Sequence, residues 1–393
     1  MKISFLYLDA FSGTGGIQAF NRNFLRACHD IASDQNIQFY AYSLKDKKKD
    51  LLLYENVRKN TAEASKLRFL FRAIFMCRSM DKIVLAHINL VFPIAILLRI
   101  FAPRCEVILI THGVEAWRPL SAFKRMAIRC CTRVLAVSNF TKEKLIAIHG
   151  LQPDKISIFP NTLDPEFLRQ VNEAASKFSD AYKSSPNEKI IFTLCRLSEK
   201  EKRKGYETII RLMPKLLQMY PSGHYILAGK EEDNSEIKRL KSLVKELKIE
   251  NHVTIRGYLS TEELISYYAA CNVFVMPSTK EGFGIVFLEA LAFGKPVIAG
   301  NLDGSKDALQ NGRLGILVNP TDEVEILKAL SQVFSETQEK QYADACFLKA
   351  ESEKAFGFEA FKTRTKALFA SHLSDEQMTH QQTAALQHPV HSI

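Results

Sequence analysis

The sequence lacks several things, and each lack excludes something. Its eight cysteines (Cys28, Cys77, Cys105, Cys130, Cys131, Cys195, Cys271 and Cys346) are diluted in 393 residues and form no Cys-x-x-Cys pair. A zinc knuckle, a thioredoxin-type motif and a disulfide scaffold are therefore unsupported, and reduced thiols are the plain expectation. The longest apolar run, 90–98, is nine residues and ends at Arg99, whereas a bilayer-spanning helix needs about 20. The opening MKISFLYLD is interrupted by Asp9 with no small-residue cleavage site after it, so no secretory signal is read there. A full G-x-G-x-x-G is also missing, which weakens a nicotinamide-dinucleotide reading.

What is present is a globular composition, 47% apolar and 24% charged, which rules out disorder for most of the chain. At roughly 150 residues per domain the length suggests two domains. The net charge of +10 is unevenly placed: residues 1–180 hold 26 Lys and Arg against 16 Asp and Glu, and residues 181–393 hold 27 of each. The front half should attract an anionic partner, such as a phospholipid surface, nucleic acid or a phosphorylated substrate, or the charge serves solubility alone.

The pattern along the chain alternates strands and helices. An apolar segment at 2–8 precedes a glycine turn, Gly13-Thr14-Gly15-Gly16, and a helical pattern with Ile17, Phe20, Phe24 and Leu25 on one side. Further strand candidates are 37–42, 83–87, 107–111 and 134–138. After a polar stretch near 170–188 a second series begins, at 190–194, 225–228, 253–255, 273–277, 296–299 and 315–318. This alternation predicts an α/β protein with two parallel, doubly wound halves. Ligands of such sheets sit at the strands' carboxyl ends, so the cleft between the halves is the expected site.

Four stretches carry chemistry. In 277–296 a strand ends at Pro277, a loop holds Glu281, Gly282, Phe283 and Gly284, and a helix follows from about 284 to 293. Gly294 suits its C-terminal cap, and Pro296 prevents continuation. The free amides at the helix start, including those of Ile285 and Val286, suit an anion such as diphosphate. Glu281 and Glu289 bracket the element and are good acceptors for paired sugar hydroxyls. The second stretch, Arg196 to Gly205, offers Arg196 and Lys204 as a diphosphate clamp, with Lys200, Lys202 and Arg203 read as solvated. The third is His112-Gly113 at a strand end; a lone histidine is more often structural than catalytic, but this position raises the odds. The fourth is the Gly13–Gly16 turn.

Together these residues resemble the retaining glycosyltransferases of family 4. The likeness runs through Gly15-Gly16, His112-Gly113, Val137-Ser-Asn-Phe-Thr141, Pro160-Asn161, Asp164, Arg196-Leu197, Lys204-Gly205, Gly229 and the spaced pair Glu281 and Glu289. The resemblance implies a GT-B fold, two Rossmann-like domains facing across a cleft. Its expected parts are an acceptor-side domain at 1–180, a nucleotide-sugar domain at 181–352, a helix at 353–373 packing back on the first domain and a flexible tail at 374–393. It implies that Arg196 and Lys204 hold the donor diphosphate and that Glu289 binds ribose hydroxyls. Glu281 with the amides of Phe283, Gly284, Ile285 and Val286 would hold the sugar and its phosphates. His112 would contact the sugar from the other domain, Gly15 and Gly16 would pass close to the phosphate or acceptor, and Arg256-Gly257-Tyr258 would flank the base. No metal or cofactor is implied, and the chain has no Asp-x-Asp. Three positions depart from the pattern: Cys195 and Thr162 where glycine is usual, and Asp307 where glutamate is.

The implied activity is that of a hexosyltransferase. It would move a sugar from a UDP- or GDP-linked donor to an acceptor hydroxyl with retained configuration, the acceptor being a lipid-linked saccharide in surface polysaccharide or lipopolysaccharide assembly. Alternatives are a GT-B-shaped nucleotide-sugar epimerase, which needs no acceptor, and a non-catalytic sugar-nucleotide-binding subunit. A nucleic-acid binder has only the charge in its favour. The segment 65–76 reads either as a core helix with two exposed arginines or as an element docking on an anionic interface. Leu67, Leu70, Phe71 and Ile74 would form its inner face, with Phe69, Phe75 and Met76 as surplus apolar surface. The expected location is the cytoplasm, with a peripheral position at the inner membrane face if that segment docks.

Overall fold

The apolar runs become parallel strands buried on both sides, in a computed structural model that describes residues 1–34, 37–48, 54–175, 187–231, 234–335 and 344–370. The first lobe begins with β1 (Lys2–Tyr7), α1 (Gly16–Asp34), β2 (Gln38–Ser43), β3 (Val57–Thr61), α2 (Lys66–Cys77) and β4 (Lys82–Leu85). It continues with α3 (Val91–Phe101), β5 (Glu106–Thr111), α4 (Ala122–Cys130), β6 (Arg133–Ala136), α5 (Asn139–His149), β7 (Ile156–Ile158) and α6 (Pro165–Ala175). Its sheet runs β3-β2-β1-β4-β5-β6-β7, with every pairing parallel.

The second lobe holds β8 (Lys189–Leu194), α7 (Tyr206–Met219), β9 (Gly223–Ala228), α8 (Asn234–Glu246), β10 (Val253–Arg256), α9 (Thr261–Ala270) and β11 (Val273–Met276). Then come α10 (Ile285–Ala292), β12 (Val297–Gly300), α11 (Ser305–Ala308), β13 (Ile316–Val318) and α12 (Glu323–Phe334). Its sheet runs β10-β9-β8-β11-β12-β13, again all parallel. Both orders reverse beside the first strand of the lobe, and such switch points are where doubly wound folds open a crevice. The two lobes make this a GT-B fold.

The chain closes with α13 (Ala345–Phe356) and α14 (Phe358–Phe369). The last helix returns to the first lobe, where Phe361, Leu368 and Phe369 join the core of Phe20, Phe24 and the inner face of β1. Thr162 Oγ1 donates to the Phe356 carbonyl at 2.7 Å, and Asn23 Nδ2 donates to the Thr162 carbonyl at 3.2 Å. The side chain at this position thus ties both connections between the lobes.

Two strands went unread in the sequence. β3 is a polar edge strand, Val-Arg-Lys-Asn-Thr, and β7 has three residues; neither carries enough apolar alternation to register. The polar stretch near 170 begins as the end of α6, while 176–186 and the tail 374–393 lie outside the described residues. Cys28, Cys105, Cys130, Cys131, Cys195, Cys271 and Cys346 are free thiols. Among the described residues no helix is long and apolar enough to cross a membrane.

On α2 the expected faces are redistributed. Phe69 and Ala73 enter the core, whereas Leu67, Phe71 and Phe75 stand out in a row spaced by four residues. The four-residue phase was right for a helix, but which stripe faces inward is set by the sheet beneath it: Phe69 stacks on Tyr42 of β2 at 5.0 Å.

Candidate active site

Each lobe offers the loops at its switch point. In the second lobe these follow β8 and β11. After β11 the loop 277–284 feeds α10 through Gly284, whose φ of +92° is open to glycine at little cost. A Cβ at Gly284 would also strike the Phe287 ring at 2.3 Å. Gly284 caps the helix without a side chain, and no acid stands in its first turn, so the amides and dipole of that end are available to an anion.

Glu281 and Lys204 meet in this loop. Lys204 Nζ donates to Glu281 Oε2 at 2.5 Å, and the Gly282 amide donates to Glu281 Oε1 at 3.0 Å. Burial alone would raise the Glu281 carboxyl. The Lys204 ammonium and the amides of Phe283 and Gly282 outweigh it and hold the group below the usual carboxylate range. Lys204 is raised in turn: burial opposes its charge, and Glu281 more than restores it. Both therefore stay ionised.

Arg196 leaves the end of β8 and is 53% exposed, and its Nη2 donates to Glu201 Oε1 at 2.8 Å. Arg203 Nη2 donates to the same oxygen at 3.1 Å. Glu201 is buried, and its Oε2 has no hydrogen-bond partner. This corrects the reading of Arg203 as solvated, while Lys200 and Lys202 are exposed as expected. Arg203 is partly buried and paired, because the short 3₁₀ turn Glu199–Lys204 folds one acid under two guanidinium groups. Cys195 lies among these charges: burial pushes its thiol up to about 12, and Lys204, Glu201, Glu281 and Arg196 all act on it.

Glu289, two turns into α10, accepts from the Tyr268 hydroxyl at 2.8 Å, and burial raises its carboxyl to about 6. Arg256, Gly257 and Tyr258 sit at the end of edge strand β10, two strands from β8, with Tyr258 exposed. They share the sheet's carboxyl rim but not the Lys204–Glu281 cluster.

The first lobe reaches the same place from above. A Cβ on Gly282 would come within 2.1 Å of the His112 carbonyl oxygen, and one on Gly113 within 2.5 Å of the Gly282 Cα. The two backbones thus touch, and only glycine permits it. The His112 ring Nε2 lies 2.8 Å from the Ala86 carbonyl oxygen, which only accepts, so Nε2 carries the proton. Burial lowers the ring's basicity, partly offset by Glu115 and the Ala86 bond. The neutral ring leaves Nδ1 as an acceptor. Gly16 opens α1, again with no acid in its first turn, and its Cβ position is 3.7 Å from Ile285 Cδ1. Two helix N-termini therefore meet across the cleft. A further tie joins the lobes: Asp307 Oδ1 accepts from the Asn139 amide at 2.8 Å, at the start of α5.

Three supporting residues were given no role in the sequence reading. Buried Asp46 accepts from the amides of Ala10, Phe11 and Ser12 at 3.0–3.1 Å and shapes the turn before Gly13. In sequence it is lost in a run of lysines. Asp303 accepts from Ser278 Oγ and the Glu281 amide, both at 2.6 Å, and pins the Glu281 loop. His87 stands 6.4 Å from His112, ring to ring, and burial lowers it to about 3. No short motif marks any of the three.

Two facing Rossmann-like lobes with cations and helix ends at their shared cleft place this protein in the class of GT-B proteins. The family models agree: Glycosyltransferase Family 4 matches residues 15–167, and Glycosyl transferases group 1 matches 175–345. The chain belongs to these family-4, group-1 glycosyltransferases. It is 28% identical over 239 residues to the GDP-mannose-dependent alpha-(1-6)-phosphatidylinositol monomannoside mannosyltransferase of Mycobacterium tuberculosis, covering 56% of this chain and 60% of that one. It is 28% identical over 203 residues to the mannosylfructose-phosphate synthase of Agrobacterium fabrum, covering 50% and 44%. The match thus spans less than two thirds of either relative. The crystal structure of Anabaena Alr3699/HepE in complex with UDP and glucose shares the fold, with a TM-score of 0.70 at 19% identity over 94% of this chain and 99% of that one.

Proposed function

We propose that this protein is a metal-independent, retaining hexosyltransferase that takes a sugar from a nucleotide diphosphate, UDP- or GDP-linked, to an acceptor hydroxyl. The observation that carries the reading is the partly buried Lys204–Glu281 pair at 2.5 Å, set beside the N-terminus of α10, where α1 of the other lobe also begins. A leaving diphosphate gains negative charge as the bond from the anomeric carbon to its phosphate oxygen breaks. Fixed positive groups aimed at that charge supply the largest electrostatic term. Lys204, Arg196 and the amides of Gly284, Ile285 and Val286 are assigned that role. Glu281 accepts from sugar hydroxyls, and Glu289 from the ribose. His112 accepts through Nδ1 from a sugar hydroxyl. The acceptor oxygen bonds to the anomeric carbon on the face the phosphate leaves, and its proton passes to the departing phosphate oxygen.

The acceptor is read as a lipid-linked saccharide in surface polysaccharide or lipopolysaccharide assembly. The name of the Mycobacterium relative supports a lipid acceptor. The test is thermal-shift screening with UDP-, GDP- and ADP-sugars, followed by turnover. A donor at about 100 times its Kd adds about 2.7 kcal/mol of stability. Arg196→Ala and Lys204→Ala should each lower turnover. Wild-type turnover in both variants, with a nucleotide sugar as donor, refutes the clamp.

A further inference from the structure

Among the described residues thirteen large apolar side chains are exposed, and eight of them stand on three successive helices of the first lobe. They are Leu67, Phe71 and Phe75 on α2, Phe92, Ile100 and Phe101 on α3, and Phe123 and Met126 on α4. The inner faces of these helices are ordinary core, with Phe69, Ile94, Leu98 and Ile128 packed on the sheet. The outer faces are therefore apolar without a folding reason. They form one surface. α3 packs against both α2 and α4. The Phe92 and Phe123 rings lie 5.6 Å apart, and the Arg78 guanidinium covers the Phe101 ring at 5.3 Å.

The charge of the three helices is of one sign, with Glu63, just before α2, pairing with Arg68 at 3.7 Å. The three helices contain seven Lys and Arg (Lys66, Arg68, Arg72, Arg99, Lys124, Arg125 and Arg129) and no Asp or Glu. A patch this apolar is uncommon on a monomer. A protein partner would meet it with acids, and a second copy would set cation against cation. A bilayer of acidic phospholipid satisfies both properties at once: its headgroups pair with the arginines while Leu and Phe enter the acyl boundary.

We infer that the outer face of α2, α3 and α4 docks this protein on an anionic phospholipid surface. The inference does not rest on the donor chemistry. The surface also ends at the cleft. Lys124 donates to Asn89 Oδ1 at 2.7 Å, two residues from His87, and His87 faces His112. A docked lobe thus holds the mouth of the candidate site at the bilayer's edge, where a hydroxyl on a lipid-anchored headgroup can enter without leaving the membrane.

The test is flotation of the full chain with vesicles of phosphatidylcholine mixed with phosphatidylglycerol, against pure phosphatidylcholine. Wild-type protein should float with the mixed vesicles, less with the neutral ones, and less as salt rises. The variant Leu67→Ser, Phe71→Ser, Phe75→Ser should lose binding by about 100-fold or more. Lys66→Gln with Arg68→Gln should lose about 30-fold on the mixed vesicles only. All five side chains are exposed, so melting and donor-induced thermal shift should stay at wild-type values, which separates this surface from the donor site. Failure of the wild type to float at low salt overturns the inference. So does undiminished flotation of the serine variant. Sedimentation showing a wild-type dimer that the serine variant converts to monomer would give the face to a second copy instead.

Discussion

Gly282→Ala isolates the contact between the lobes. Gly282 does not adopt positive φ, so alanine fits its own backbone. The new Cβ would stand 2.1 Å from the His112 carbonyl oxygen and 3.3 Å from Gly113 Cα, where real Cβ atoms essentially never come closer than 3.0 Å. The lobes must part by about 1 Å at this point. Every atom it strikes belongs to the other lobe, so neither core is disturbed. A displacement of about 1 Å at reacting groups costs about 100-fold in rate, which is about 2.7 kcal/mol of transition-state stabilisation. The expected result is kcat/KM down by about that factor, with melting unchanged. Donor affinity should move by less than about fivefold, since Arg196, Lys204, Glu281 and Glu289 all sit in the second lobe. Steady-state kinetics, thermal shift and calorimetry read the three quantities. A variant with wild-type kcat/KM would mean that the approach of His112 and Gly113 to Gly282 is not the catalytic arrangement.

Two other outcomes follow from the same geometry. Glu201→Gln keeps the shape but removes the charge that anchors Arg196 and Arg203; kcat/KM should fall about tenfold, in line with a weakened charge-assisted bond. In an Arg196→Ala background the same change should add little, and a full further loss there would make Glu201 merely structural. Glu289 and Asp303 are both raised to about 6 by burial. Donor affinity should therefore weaken as pH falls through about 6, and Glu289→Gln should flatten that response. For stability the sign is opposite. The folded chain holds these protons more tightly than the unfolded one, so their contribution to stability declines as pH rises from about 4 to 6 and is constant above. Melting of Glu289→Gln against wild type across that range checks it. A difference that grows as pH falls would refute the assignment.

Much of this protein is written in local signals. Apolar runs too short for a membrane and separated by helical periodicity dictate buried parallel strands, because such a strand must hide both faces. The end of β11, Gly284 and the start of α10 are legible for the same reason: a turn that needs glycine and a helix that needs a start leave marks within a few residues. Burial and partnership are not local. Glu201 reads as one more charge in a run of charges until the turn folds it under Arg196. Asp46 is one acid among lysines until three amides of a loop distant in sequence converge on it. The periodicity of α2 announces a helix, yet only the sheet beneath decided that Phe69 goes in and Phe71 stays out. By itself the sequence determined two doubly wound lobes and the residue types at their carboxyl ends. The tertiary structure alone decided that Gly113 and Gly282 touch, since contact across a cleft depends on how two separately folded cores meet and leaves no trace in the order of either one.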